Sequence, residues 1–104
     1  MTKIDEIKKA ILPLLIEYKV TRAGIFGSYA RGEERNDSDV DILIEISLDF
    51  DLIDIARLKN LIEKKIKKKI DLVEYDCIRS EIKDNILREE IPIIKEAMSN
   101  ISLV

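Results

Sequence analysis

Two aspartates inside an otherwise apolar run constrain this chain more than any other feature. The run is Asp39-Val40-Asp41-Ile42-Leu43-Ile44-Glu45-Ile46. Side chains alternate across a strand, so Asp39, Asp41, Leu43 and Glu45 share one face and Val40, Ile42, Ile44 and Ile46 the other. The second face has to be buried. The first carries two carboxylates about 6–7 Å apart, near enough to hold metal ions between them. Aspartate is depleted in strands, because its short polar side chain favours turns and caps. Neighbouring carboxylates also repel, each raising the other's pKa unless a cation lies close by. Ordinary solvent-facing acids are the plain alternative, but Ile70-Asp71-Leu72 places a third aspartate in another apolar run.

Upstream, the apolar stretch from Val20 to Phe26 breaks at Gly27-Ser28, and a polar segment with Gly32 follows. A Gly-Ser turn facing the carboxylates could hold phosphate through its backbone N–H groups. Taken alone the dipeptide is weak evidence, since such pairs end strands everywhere. Together, the turn and the acids suggest a metal-dependent phosphate-transfer site.

Composition narrows the chemistry. The chain has no histidine and one cysteine, Cys77. That removes an internal disulfide, a zinc-site pattern, a histidine general base and a Ser-His-Asp triad. A catalytic metal would have oxygen ligands, which favours magnesium or manganese. With 104 residues, 46% of them apolar, the chain is sized for a single domain with its own core. Its net charge of −3 gives no general reason to expect direct nucleic-acid binding. The N-terminus is charged and lacks a signal-peptide core, and no apolar stretch approaches membrane-spanning length, so a cytoplasmic protein without a membrane partner is expected.

Periodicity predicts the order helix, strand, strand, helix, strand, helix. Residues 2 to 18 read as one helix bent at Pro13, with Ile4, Ile7, Ile11, Leu14, Leu15 and Tyr18 on one side and a Thr2–Asp5 pair resembling a capping box. Val20–Phe26 and Asp39–Ile46 read as strands. Asp49 or Asp51 can cap a helix from about Leu52 to Lys68, its inner face including Ile55, Leu58, Ile62 and Ile66. Ile70–Tyr75 is a third strand. Ser80 can cap a last helix to about Glu90, with Ile82, Ile86 and Leu87 inward, and Pro92 ends it. The tail from Ile93 reads as either a short helix or loose structure. The fold class is α/β (α+β), a short mixed sheet of three or four strands with helices on one face and the aspartate face open.

Gly27-Ser28, ten intervening residues, then Asp39-Val40-Asp41 with Asp71 on a later strand resembles the nucleotidyltransferase superfamily of DNA polymerase beta. The text GSYARGEERNDSDVDILIE, continued by IDLVEYD and RSEIKDNILREE, is similar to the minimal nucleotidyltransferase (MNT) group encoded beside HEPN-domain proteins. The resemblance implies the minimal nucleotidyltransferase fold. It further implies an antitoxin that transfers AMP from ATP to a tyrosine hydroxyl of a HEPN toxin. Gly27 and Ser28 would grip the β- and γ-phosphates, and Asp39 and Asp41 would ligate two Mg2+ ions (or Mn2+) on the nucleoside triphosphate. Asp71 would join one ion and orient or deprotonate the attacking hydroxyl. A non-catalytic antitoxin that occludes its partner, and a small-molecule nucleotidyltransferase, are the alternatives. Oligomeric state, homo- or hetero-, stays open.

Several residues admit two readings. Arg31 suits triphosphate oxygens by its planar fork, or a structural salt bridge with an acid such as Glu33. Lys64, Lys65, Lys67, Lys68 and Lys69 favour a solvated face complementing a helix C-terminus over a partner-docking patch. Ser38 reads as a turn cap and Cys77 as inert filler. Tyr18, Tyr29 and Tyr75 read as packing residues, Tyr29 being close enough in sequence to the turn to stack on a base.

Overall fold

Apolar stripes on two helices and one sheet face decide the architecture. A computed structural model describes residues 3–95. Its elements run α1 (Lys3–Glu17), β1 (Val20–Phe26), α2 (Gly27–Arg31), β2 (Val40–Ile46), α3 (Leu52–Ile66) and β3 (Ile70–Glu74). A 3-10 turn (Tyr75–Cys77), α4 (Ser80–Glu89) and β4 (Ile91–Ile94) follow. Thr2, the candidate cap of α1, and the tail beyond Lys95 lie outside the described residues.

In α1 the stripe buries Ile7, Ile11 and Leu15, with Ile4, Leu14 and Tyr18 packed against the same core. Pro13 sits within the helix without ending it. A proline costs an interior helix about 3 kcal/mol. Burying each large aliphatic side chain returns about 1.5–3 kcal/mol, so the stripe outweighs the proline. Helix α3 starts at Asp51, not Asp49. The Asp51 carboxylate accepts from the Asp54 N–H at 3.0 Å, and the Asp54 carboxylate accepts from the Asp51 N–H at 3.0 Å. Leu58 and Ile62 of α3 are buried, and Ile66 packs beside them. The helix ends at Ile66, earlier than expected, because Lys67 takes a left-handed conformation with φ 57°.

The sheet has four strands in the order β3-β2-β1-β4. β1 runs antiparallel to β2 and to β4, while β2 and β3 are parallel and joined by the crossover helix α3. Val40, Ile42 and Ile44 of β2 join Ala23 and Ile25 of β1 in the core with α1 and α3, as their alternation requires. Among the described residues, no helix is long and apolar enough to cross a membrane.

Three expectations are corrected. Where the tail begins, Ile93 and Ile94 are neither helix nor loose structure but part of the edge strand β4, Ile91–Ile94. Proline is tolerated there because an edge strand leaves one side of its ladder unpaired. Ser80 does not cap α4. It is the first helical residue, its hydroxyl lies against the Glu81 carboxylate, and Ile82 is 47% exposed rather than inward. Finally, the aspartate face is open only at one end. Leu43, on that face, is fully buried, and its register partner Gly24 packs so closely on Glu90 that an added Cβ would fall on the carboxylate.

That covered end is held by a polar network. The Tyr75 hydroxyl donates to the Glu90 carboxylate, and the Arg22 guanidinium lies 4.0 Å from the Tyr75 ring centroid and 3.8 Å from Glu90. Burial, reinforced by the Glu90 hydrogen bond, holds the Tyr75 phenol well above its ordinary pKa. In the unfolded chain this phenol ionises near pH ~10, whereas the folded protein keeps its proton beyond that. Its contribution is therefore complete below about pH 10 and is lost as the pH rises further. Tyr75→Phe is expected to cost about 1–3 kcal/mol at neutral pH in urea unfolding, because Glu90 loses a buried donor. Above pH ~10 the variant's stability is expected to fall less steeply than the parent's.

Candidate active site

The parallel register of β2 and β3 pairs Val40 with Ile70, Asp41 with Asp71 and Ile42 with Leu72. Register partners on adjacent strands share a face, so Asp41 and Asp71 stand beside each other. Asp39 lies two residues before Asp41 at the entrance to β2, on that same side. Asp41 is half-buried, while Asp39 and Asp71 are exposed. Burial raises the Asp41 pKa, the negative charges of Asp71 and then Asp39 add to the rise, and Arg31 opposes it. The charges of Asp71 and Asp39 thus bear on Asp41, and a cation would relieve that repulsion.

Gly27 is fixed against this group. Phe26 pairs with Asp41 across β1 and β2, so the chain leaving β1 passes directly over that carboxylate. Gly27 has φ 73°, and a Cβ there would overlap the Asp41 carboxylate oxygen. Glycine satisfies both demands, the left-handed backbone and the close approach. Ser28 follows in the one-turn helix α2, which closes at Gly32.

Arg31 makes the salt bridge that one of its readings anticipated. Its guanidinium lies 2.8 Å from Glu33 and 3.4 Å from Glu89 on α4, with all three side chains substantially exposed. Glu89 carries no local sequence signal, because it lies 58 residues away from Arg31 in the chain. The Ser38 hydroxyl accepts from the Arg35 N–H at 2.7 Å, the turn role expected of it. Cys77 is exposed in the 3-10 turn. Tyr29 does not reach the site surface: its ring belongs to the core and is 2% exposed, which rules out stacking on a base.

The donor set is carboxylate oxygen throughout, which fits magnesium or manganese and not zinc. Among the described residues no group of three or more His, Cys, Asp or Glu side chains is placed to hold a metal ion by itself. An open arrangement of this kind suits ions shared with phosphate oxygens better than a site built wholly from protein ligands.

Comparison with known proteins agrees with this fold. Residues 9–98 match the family model described as polymerase beta, nucleotidyltransferase. A relative from Methanocaldococcus jannaschii, named "Putative protein adenylyltransferase MJ0435", is 43% identical over 91 residues, spanning 88% of this chain and 98% of that protein. The protein adenylyltransferase MntA of Thermococcus cleftensis is 36% identical over 95 residues, spanning 88% and 96%. A solved structure described as a "putative minimal nucleotidyltransferase" superposes with TM-score 0.76 at 35% identity, over 86% of this chain and 91% of that one. An MNT antitoxin in complex with a tri-AMPylated Shewanella oneidensis HEPN toxin shares the fold, with TM-score 0.69 at 17% identity over 92% and 76%. The chain belongs to the polymerase-beta nucleotidyltransferase family.

Proposed function

We propose that this nucleotidyltransferase is an antitoxin that transfers AMP from ATP to a tyrosine hydroxyl of a HEPN-domain partner in the cytoplasm. The observation that carries this reading is the register of Asp41 on Asp71, with Asp39 on the same face and Gly27 packed against Asp41. Family membership supports the reaction class. The names of the relatives, and the AMPylated HEPN complex among the solved folds, support the acceptor.

The donor set suits two Mg2+ or Mn2+ ions held by Asp39, Asp41 and Asp71, which when bound would neutralise the triphosphate and acidify the incoming hydroxyl. The chain's own residues do the rest. Gly27 and Ser28 present backbone N–H groups to the β- and γ-phosphates at close range. Arg31 turns to the triphosphate from its exposed carboxylate partners, an exchange that costs little because exposed ion pairs are weak. Asp71 orients the acceptor hydroxyl and takes its proton. The acceptor oxygen bonds to the α-phosphorus as the bond to the β-phosphate oxygen breaks, and pyrophosphate leaves with the electron pair. With no histidine in the chain, the proton acceptor in this reading is Asp71.

Incubation with α-labelled ATP, magnesium and the HEPN partner is expected to label the partner. An Asp39→Asn, Asp41→Asn double variant should label it at least about a hundredfold more slowly. A parent protein that silences the partner without labelling it would instead be an occluding antitoxin. Labelling of a small hydroxyl compound in preference to the partner would point to small-molecule transfer.

Gly27→Ala tests the close approach. The new methyl meets the Asp41 carboxylate in a backbone conformation that alanine resists. Labelling is expected to fall at least about tenfold and the magnesium-ATP increase in Tm to shrink, while the stability cost stays near 1–2 kcal/mol. Full activity in this variant would remove Gly27 from the nucleotide site.

A further inference from the structure

The lysine-rich segment divides into two parts with different surroundings. Lys64 and Lys65 lie in the last turn of α3, where positive charge complements the helix C-terminus. Lys67, Lys68 and Lys69 lie beyond the helix, in the turn that feeds β3. They form one wall of a groove of about 410 Å³ whose other wall is Asn36, Asp37, Ser38 and Asp39. The walls are tied together by the Val40 N–H, which donates to the Lys69 carbonyl at 3.0 Å. The groove therefore opens beside an aspartate of the candidate active site.

Its position in the sheet sets its role. In the strand order β3-β2-β1, the phosphate-gripping turn Gly27-Ser28 sits at the β1 side of the acids and the lysine turn at the β3 side. Lys69 is two residues before Asp71, the residue that receives the acceptor's proton. Lysines on this side flank the approach of the acceptor, away from the turn that holds the triphosphate. We propose that the groove between Lys67–Lys69 and residues 36–39 docks an acidic segment of the protein acceptor, setting the hydroxyl over Asp71. The proposal rests on the protein-modifying reading given above. Asp37 and Asp39 partly offset the lysines, but Asp39 is committed to the metal ions in that reading, and the groove then has excess positive charge. An acidic peptide is the complementary partner. RNA is the rival occupant, but the acceptor in the reading given above is a protein.

The test reverses the two exposed lysines, Lys67→Glu with Lys69→Glu. Lys68 is left in place because it is half-buried and also borders α1 beside Ile7 and Ala10. A fluorescent oligoglutamate peptide is expected to bind the parent at low salt and to bind the variant at least about tenfold more weakly. Partner labelling should show a KM for the partner raised about tenfold at similar kcat, and the parent's labelling should weaken with salt more steeply than the variant's. ATP affinity, read as the magnesium-ATP increase in Tm, should stay within about twofold. Equal or absent oligoglutamate binding in parent and variant overturns the proposal. So does a parallel loss of ATP affinity, which would assign the groove to the triphosphate. Single-stranded RNA binding that the reversal abolishes, without oligoglutamate binding, would overturn it too. If the parent labels no protein, the functional reading fails, while the oligoglutamate comparison still decides the groove.

Discussion

The structure depends on holding like charges together at one end of a sheet. Asp41 faces Asp71 only because β2 and β3 are parallel and in that register. A one-residue slip would send one carboxylate to the buried face, where Val40, Ile42 and Ile44 meet α1 and α3. The apolar alternation of β2 therefore fixes the chemistry as well as the core. A parallel pair also requires a crossover, and α3 provides it, with Leu58 and Ile62 closing over the face the aspartates avoid. Repulsion among the acids opposes folding, and the core on the reverse side offsets it. Such local destabilisation at a site is the usual cost of placing charges where a ligand needs them.

The two faces of the sheet are closed by different means. The core face is apolar throughout. On the other face the cover is partial and polar: Arg22, Tyr75 and Glu90 converge over Gly24, and Leu43 is sealed between that network and the acids. The network ties the 3-10 turn after β3 to the junction of α4 and β4. Helix α4 in turn carries Glu89, which reaches Arg31 beyond the Gly27-Ser28 turn. Long-range contacts thus link the closed end of the face to the rim of the open end, although α4 itself buries no residue fully.

Legibility in the sequence followed the range of the interactions. Period-3.6 and period-2 patterns reveal α1, α3 and β2, because their burial depends on spacing within one segment. The Gly27-Ser28 and Asp39-Val40-Asp41 spacing reveals the site for the same reason. Strand β4 was hidden by Pro92, which reads as a stop unless the strand is known to lie at an edge. Tyr29 is the packing residue expected; the alternative of stacking on a base rests on closeness in sequence to Gly27, and the single turn of α2 rotates its ring into the core instead. The cover over Gly24 and the Glu89–Arg31 pair join segments too distant for any local pattern to betray. The split of the lysine cluster required knowing that Lys67 ends α3 in a left-handed conformation.

Exposure at the candidate site bears on the acceptor proposed for it. Asp39 and Asp71 stand at the sheet rim in contact with solvent, and Asp41 alone is shielded. A site that excludes water strengthens its electrostatics, yet nothing among the described residues folds over this one to do so. The turn at Gly27 covers the β1 side and leaves the β3 side bare. In the proposed reading, the partner protein that brings the hydroxyl to Asp71 would also cover that side. The open β3 side and the lysine turn beside it would then be two aspects of one arrangement, the proposed protein acceptor supplying the part of the active site that the sheet leaves unbuilt.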